Sequence, residues 1–288
     1  MTDSLEHLRQ WLGRKESHSD LATAWPIAAM AATLDRPDPP PREGDAIPEG
    51  WHWSYFLETA PASELAHDGH PQRGGFLPPV TLPRRMWAGG RLEFKRPIKI
   101  GERLARVSEI IAVDAKSGKS GNLVFVTVRH TVSASNEIAV VEEHDIVYRD
   151  AAKPSAPMAS GTPAAPGTPA PANPVWQREW APDEAMLFRY SALIFNAHRI
   201  HYDIDYCRKE EGYRGLIVHG PLQTTLLLDL SRRHAGKPVR KLDYRAVSPL
   251  FHNEKLIVGG APSADGATAQ LWTAGPAGAI AMSGTAHY

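Results

Sequence analysis

Pro97-Ile-Lys-Ile-Gly-Glu-Arg-Leu104 decides the fold, because its pattern returns without gaps in Pro249-Leu-Phe-His-Asn-Glu-Lys-Leu256. Further positions agree between the two halves of the chain: Leu92 with Leu242, Ile138 with Ile280, and Tyr148 with Tyr288. Chance similarity between short strand and turn segments is the alternative explanation. Agreement at several positions favours duplication, and therefore one fold used twice.

Each half is predicted to form an antiparallel sheet. In the first half, three segments are rich in Val and Ile, alternate in part and end at Gly, Ser or Asn: 104–113, 123–132 and 138–148. The second half repeats them at 255–259, 268–273 and 279–287. Short Gly- and Ser-rich segments between them are typical of hairpin turns.

A helical segment precedes each set of strands. In the second half, Pro182 is expected at an early helical position, and the charges of Asp183 and Glu184 suit a helix N-terminus. In the first half, residues 21–34 are expected to take that place. The pattern predicts an α+β fold in which an antiparallel sheet wraps a helix, twice over.

A linker is predicted between the halves, because residues 151–174 are nearly all Ala, Pro, Gly, Ser and Thr. Such a composition buries too little apolar area to offset its ordering entropy, so an extended and mobile segment is expected. An ordered surface loop is the alternative. The predicted units are an N-terminal one at 1–150 and a C-terminal one at 175–288.

Composition restricts the partners of the chain. Lys and Arg together number 32, as do Asp and Glu, and the absence of a basic run argues against a nucleic-acid partner. The single cysteine, Cys207, excludes an intrachain disulfide and fits a reducing compartment. The sequence has no apolar run of about 18 residues, so no membrane span is expected. Its N-terminus lacks a basic region followed by an apolar core, so the predicted location is cytoplasmic.

The segment from Phe195 to Leu222 holds an unusual density of polar residues in apolar sequence. His201 follows Asn196 by five residues, and a His219-Gly220 pair closes the segment. A helix that starts after Gly220 would offer unpaired N–H groups and the positive end of its dipole. The spacing predicts a base and a water-orienting amide that face an oxyanion-binding turn.

Three motifs resemble the MaoC-like hydratases and dehydratases of the hotdog fold, in their two-hotdog branch. They are Phe76-Leu-Pro-Pro-Val-Thr-Leu-Pro-Arg-Arg-Met-Trp-Ala-Gly-Gly90, Phe195-Asn-Ala-His-Arg-Ile-His-Tyr202 and Gly212-Tyr-Arg-Gly-Leu-Ile-Val-His-Gly-Pro-Leu222. The resemblance implies a double hotdog, in which two antiparallel sheets each wrap a central helix and pair into one pseudo-dimer. It also implies a catalytic C-terminal half and a catalytically silent N-terminal half.

The chain departs from the short members of that family at Asn196, where they carry an Asp. An amide can orient a water molecule but cannot accept its proton, so His201 is expected to move the proton alone, with Asp203 as a possible orienting group. Gly220 is expected to polarise the thioester carbonyl through its N–H. Further predicted substrate-binding residues are Tyr190, Ser191, His198, Arg199, His219 and Arg189.

No cofactor and no metal are predicted. Two histidines three residues apart, His198 and His201, could form a metal site with Asp203 or Asp205. Metal sites of this type usually draw another ligand from a distinct motif, and the sequence shows none.

The resemblance predicts a hydro-lyase that acts on an α,β-unsaturated or 3-hydroxyacyl CoA thioester, with mesaconyl-C4-CoA favoured. The free carboxylate of mesaconyl-C4-CoA is expected to pair with an arginine, and the candidates are Arg84, Arg85, Arg189 and Arg199. An (R)-3-hydroxyacyl-thioester dehydratase of fatty acid metabolism is the alternative, and it predicts an apolar tunnel without a buried arginine. A non-catalytic acyl-CoA-binding module is the alternative of another class. The expected assembly is a monomer, which is itself a pseudo-dimer, or a homodimer.

Overall fold

A computed structural model describes residues 5–118, 121–151 and 167–288. These residues form one ten-stranded antiparallel sheet. Its strands are β1 Lys15–Leu21, β2 Arg84–Phe94, β3 Arg103–Gly118, β4 Gly121–Ala134, β5 Glu137–Arg149, β6 Trp176–Trp180, β7 Lys241–Ala246, β8 Leu256–Pro262, β9 Thr268–Ala274 and β10 Ile280–His287. The α-helices are α1 Leu5–Leu8, α2 Ala24–Thr33, α3 Glu184–Leu193, α4 Ile204–Lys209 and α5 Gly220–His234.

The sheet is symmetric about the seam between β2 and β7. Its order is β1-β3-β4-β5-β2-β7-β10-β9-β8-β6, so the second half repeats the first in reverse across the seam. Leu92 lies opposite Leu242 in that seam, and these are two of the positions that the sequence comparison matched. Equivalent residues that meet face to face mark a pseudo-twofold axis. The α+β prediction and the inferred duplication are therefore confirmed.

The helix of the second half begins later than predicted. Asp183 is its N-cap, because the Asp183 side chain accepts a hydrogen bond of 2.8 Å from the Met186 N–H, and Pro182 precedes the helix. A capping carboxylate accepts a hydrogen bond from a first-turn N–H that has no acceptor within the helix. This interaction defines the first residue of α3 more strongly than the proline does. The first-half helix is also shorter than predicted, since Leu21 belongs to β1 and α2 begins at Ala24.

The sheet of the second half wraps α5, which packs against β6, β8, β9 and β10. Residues 222–231 of α5 are all buried, so the helix has no solvent face over that length. The first half differs, because its described stretch 34–83 holds only the short 3₁₀ turns Trp51–Ser54 and Ala62–Glu64. A long irregular segment stands where the second half has a central helix.

Most of the predicted linker, residues 152–166, lies outside the described residues. Its C-terminal end is tied to the second half: the Thr168 carbonyl accepts from the Ile280 N–H, and the Ala170 N–H donates to the Gly278 carbonyl, both at 2.8 Å. Mobility is therefore a wrong expectation for this end of the segment. Among the described residues, no helix is both long enough and apolar enough to cross a membrane.

Candidate active site

A cavity of about 1580 Å³ opens between the two halves of the molecule. The second half lines it with the predicted catalytic residues Asn196, His201 and Gly220. The first half contributes the candidate Arg85, Trp87 of the quoted motif, and three side chains that the sequence interpretation did not include: His70, Glu142 and His144. Both halves of the molecule therefore form the wall of this cavity.

His201 is held as a neutral imidazole with one defined tautomer. It ends the 3₁₀ turn Arg199–His201 and is 6 % exposed. Its Nδ1 donates a hydrogen bond of 2.7 Å to the Ile217 carbonyl, which leaves the lone pair on Nε2. Burial lowers the pKa of His201 to about 3. At neutral pH this ring is unprotonated and suited to accept a proton.

Asp203 does not orient His201, contrary to the sequence expectation. Its Oδ1 accepts from the Tyr206 N–H at 2.9 Å, and its Oδ2 accepts from Arg199 Nη2 at 2.7 Å. The carboxylate therefore caps α4 and pairs with a surface cation. A backbone carbonyl, that of Ile217, fixes the imidazole instead.

Asn196 lies in the turn that follows α3, where Phe195 has a positive φ of 48°. The Asn196 Oδ1 accepts a hydrogen bond of 2.9 Å from the His198 N–H. Because the carboxamide oxygen serves the turn, the amide NH₂ is the part of the side chain left to hold the oxygen of a water molecule. The predicted water-orienting role of Asn196 depends on that group.

Gly220 is the first residue of α5, and His219 is its N-cap. A side chain at Gly220 would place its Cβ only 3.0 Å from Trp87 Cγ and 3.1 Å from Trp87 Cβ. The glycine thus makes room for an aromatic side chain of β2. The N–H groups of this first turn have no intrahelical partner and carry the positive end of the helix dipole.

The predicted substrate-binding residues divide into two groups. Ser191 and His198 line the cavity. The others lie away from its wall: Tyr190 is buried with its hydroxyl 3.2 Å from Thr225, Arg189 is exposed, Arg199 pairs with Asp203, and His219 lies behind His201. His219 supports the turn, since its Nε2 is 2.8 Å from Ser191 Oγ and its ring stacks on His201 at 3.6 Å.

Cys207 is a buried, packed thiol. Its Sγ donates to the Ile200 carbonyl at 3.1 Å, and burial raises the pKa of the thiol to about 12. A thiol that stays protonated at neutral pH is a poor nucleophile.

An aspartate and a histidine of the first half reach the catalytic segment, and the sequence interpretation missed both. Asp68 and His70 lie in the loop before β2, with Asp68 Oδ2 3.2 Å from His70 Nδ1. The His70 ring lies 4.2 Å from the His198 ring, centroid to centroid. Asp68-Gly-His70 precedes the quoted Phe76 motif by only a few residues, but nothing in the local spacing shows that it meets His198.

The combination of His198, His201 and an aspartate, which the sequence left only as an alternative, does not form a group that could hold a metal ion among the described residues. A different set, Asp68, His70 and His198, has its side-chain nitrogen and oxygen atoms within 4.8 Å of one another. In that set His70 Nδ1 already donates to the carboxylate, and the positive charge of Arg85 acts on both rings. The contacts are those of an Asp–His pair beside a cation.

The buried histidines predict acid lability. Burial lowers the pKa of His198, His201 and His219 in the folded chain, whereas unfolded histidines bind protons near 6.5. Their contribution to stability is therefore complete above pH 6.5 and is lost as the pH falls below it.

We expect the free energy of unfolding, measured by urea denaturation, to drop between pH 7 and pH 5 by about 2 kcal/mol for each such histidine, with a limiting slope of about 1.4 kcal/mol per pH unit below pH 6.5. The variant His201→Asn should show a shallower drop than the wild type. A free energy of unfolding that is equal at both pH values would contradict the buried, neutral state of these rings.

Comparisons with known proteins agree with this architecture. The family model for hydroxyacyl-thioester dehydratase type 2 matches residues 50–252. The chain is 45% identical over 276 residues to the mesaconyl-C(4)-CoA hydratase of Chloroflexus aurantiacus, covering 96% of this chain and 95% of that protein. It is 27% identical over 242 residues to the mitochondrial hydroxyacyl-thioester dehydratase type 2 of Schizosaccharomyces pombe, covering 74% of this chain and 77% of that protein.

Solved structures show the same fold. A MaoC-like dehydratase superposes with a TM-score of 0.70 at 15% identity, over 97% of this chain and 99% of that one. A conserved hypothetical protein of Mycobacterium tuberculosis, described as a double hotdog, superposes with a TM-score of 0.56 at 14% identity, over 96% of each chain.

Fold, cavity and relatives together define a double-hotdog hydro-lyase. Within that class, the chain belongs to the hydroxyacyl-thioester dehydratase type 2 family. The double-hotdog fold and the family resemblance predicted from the sequence are confirmed.

Proposed function

We propose that this chain hydrates the C4 thioester of mesaconic acid with coenzyme A, as the name of its relative from Chloroflexus aurantiacus states for that protein. The substrate is a methyl-branched unsaturated dicarboxylic acid joined to CoA at one end. Water adds across its double bond: the hydroxyl joins the β-carbon, which also bears the free carboxylate, and a hydrogen joins the α-carbon. Dehydration is the reverse of the same step.

The second half supplies three groups for this reaction. His201 Nε2 takes a proton from the attacking water, because its Nδ1 is committed to the Ile217 carbonyl. The Asn196 amide holds the oxygen of that water. The backbone N–H of Gly220 donates to the thioester oxygen, where negative charge develops, a contribution of about 10² to 10³ in rate.

The dicarboxylate proposal rests on the position of Arg85. This residue lines the cavity from β2 and, among the described residues, has no carboxylate within ion-pair distance. Burial is the main cause of the lowered pKa of His70, His144 and His198, and the positive charge of Arg85 lowers each of them further, so the guanidinium lies near these cavity histidines. The free carboxylate of the substrate sits on the carbon that water attacks, so an anchor beside the catalytic histidines is where the chemistry requires it.

The other candidate arginines are committed elsewhere. Arg84 donates from Nε to Glu211 at 2.7 Å and stacks over the Tyr213 ring. Arg199 pairs with Asp203, and Arg189 is exposed away from the cavity. The fatty-acyl alternative requires an apolar tunnel, and a partnerless guanidinium beside the histidines disfavours it.

Loss of enoyl-thioester absorbance tests the proposal, with mesaconyl-C4-CoA and crotonyl-CoA compared under identical conditions. We expect the wild type to prefer mesaconyl-C4-CoA. In Arg85→Met, kcat/KM for mesaconyl-C4-CoA should fall about 100-fold, because a charge-assisted hydrogen bond is lost, while the value for crotonyl-CoA stays within about threefold.

Arg189→Met is the matched control and should leave both substrates unaffected. Equal losses for both substrates in Arg85→Met would contradict the anchor. A wild-type preference for long apolar enoyl thioesters would favour the dehydratase alternative, and binding without turnover would favour a non-catalytic module. A cytoplasmic location, a monomeric or homodimeric assembly and the unit boundaries given above belong to the same proposal.

A further inference from the structure

The loop that carries Asp68 and His70 is fastened to the catalytic segment by backbone contacts. The Arg199 N–H donates to the Asp68 carbonyl at 2.9 Å. Gly69 has a φ of 90°, and a Cβ there would lie 1.9 Å from the Ala197 carbonyl oxygen. So close an approach of two backbones is possible only for glycine. The first half therefore places this loop against the second half at a fixed distance.

Within the loop, the carboxylate of Asp68 orients the His70 ring. Asp68 Oδ1 accepts from the His70 backbone N–H at 3.0 Å, and Oδ2 lies 3.2 Å from Nδ1 of the same residue. Because a carboxylate accepts, Nδ1 carries a hydrogen and Nε2 is the nitrogen left for proton exchange. His70 lines the same cavity as His201, and His198 lies between the two rings at 4.2 Å and 5.6 Å.

His70 and His201 have partners of opposite character. His201 donates to a neutral carbonyl, which stabilises an imidazolium only weakly, whereas His70 donates to a carboxylate, whose charge opposes the lowering of the His70 pKa by burial and by the charge of Arg85. Two titratable groups in one cavity with different environments are the usual arrangement of a base and an acid. Asn196 cannot serve as the acid, because a carboxamide does not exchange protons in this pH range.

We propose that His70 is a second proton-transfer residue of this site, contributed by the first half, with Asp68 as its positioning residue. The inference rests on the proposed hydration of an enoyl thioester but not on the identity of the acyl group. It replaces the expectation that the first half is catalytically silent.

The step balances with these two histidines. The water oxygen bonds to the β-carbon as His201 Nε2 takes one water proton, and the π electrons move towards the α-carbon and the thioester oxygen. His70 Nε2 then delivers a proton to the α-carbon. Afterwards His201 releases its proton and His70 regains one, both by exchange with solvent, so the net change is the addition of one water molecule.

The groups that face His70 set the pH behaviour of this step. They are the carboxylate of Asp68, the guanidinium groups of Arg73 and Arg85, and the imidazoles of His198 and His201. His70 must be protonated to donate in hydration and unprotonated to accept in dehydration. Dehydration also needs His201 to be protonated, so both directions need one proton on the pair of rings, and kcat should fall in both directions as the pH rises through the pKa of His70.

The test uses the full-length chain with crotonyl-CoA and mesaconyl-C4-CoA, in both directions. In His70→Gln we expect kcat to fall about 10² to 10⁴-fold with KM within a few fold, and the alkaline pH limbs of both directions to disappear. In Asp68→Asn we expect the limbs to move to lower pH by about one unit or more, because the imidazolium has lost its counter-charge. His67→Gln is the matched control from the same loop, since His67 is exposed and does not line the cavity.

Activity of His70→Gln within threefold of the wild type would overturn the proposal, as would pH limbs that persist in that variant. A divalent metal ion at one equivalent per chain in the purified wild type would also overturn the proposal, because Asp68 and His70 would then bind the ion instead of transferring a proton. If circular dichroism shows that His70→Gln does not fold, the Asp68→Asn variant becomes the test. A pH dependence of kcat that is the same in Asp68→Asn as in the wild type would overturn the assignment. A wild type that hydrates crotonyl-CoA but not mesaconyl-C4-CoA refutes the acyl assignment alone and leaves the His70 test intact.

Discussion

Replacing His201 with alanine is expected to lower kcat for hydration by about 10² to 10⁴-fold, which is the range for loss of a positioned general base. The imidazole is the one group of the second half that is fixed by a backbone carbonyl, kept neutral by burial and open to the cavity. The measurement is the disappearance of enoyl-thioester absorbance with crotonyl-CoA and mesaconyl-C4-CoA.

Ligand binding separates a lost base from a lost fold. The His201→Ala variant should retain affinity for the hydrated product within a few fold by isothermal titration calorimetry. His234→Ala is the control, because His234 stacks on Trp176 at the far end of α5 and does not line the cavity. Hydration by His201→Ala at the rate of that control would remove His201 from the reaction and leave an acyl-CoA-binding module as the better description.

The largest loss of stability is expected at Asp229. This carboxylate is 2 % exposed and pairs with arginines from three parts of the chain: Arg36 after α2, Arg178 of β6, and Arg232 and Arg233 of α5. In Asp229→Asn, four partly buried cations would lose their shared anion. We expect the free energy of unfolding to fall by about 3 kcal/mol in urea denaturation.

Asp205→Asn is the matched control for that variant. Asp205 pairs with Lys209 at 3.2 Å on α4, where the two side chains are 69% and 71% exposed. An exposed pair contributes at most about 1 kcal/mol and commonly less, so this change should be nearly neutral. Equal effects of the two substitutions would show that the Asp229 cluster does not stabilise the fold.

The sequence predicts those parts of the fold that bury alternating apolar residues. β3, β4 and β5 were found because buried Val and Ile recur along them. The match of Leu92 with Leu242 indicated duplication, but the strands β2 and β7 that carry these residues, and the seam between them, were not predicted. β1 was missed because its sequence Lys-Glu-Ser-His-Ser-Asp-Leu is polar. An exposed edge strand needs no apolar face, so periodicity gives no signal for it.

The site was predictable where its residues are close together in the sequence. Asn196, His201 and Gly220 line one cavity, as their spacing suggested. Asp68 and His70 meet His198 from about 130 residues away, and no local pattern reports such a contact. Arg85 could be distinguished from Arg84 only after the structure showed that Glu211 engages Arg84.

The seam between β2 and β7 joins two related halves that one chain encodes separately. In an assembly of two identical subunits, every substitution appears twice, so neither copy can lose its central helix without the other losing it too. Covalent fusion removes that constraint. One half is free to keep α5, while the other half can replace the equivalent helix with a segment that contacts the first across the interface. Specialisation of this kind is open to a tandem gene product and closed to a symmetric homodimer.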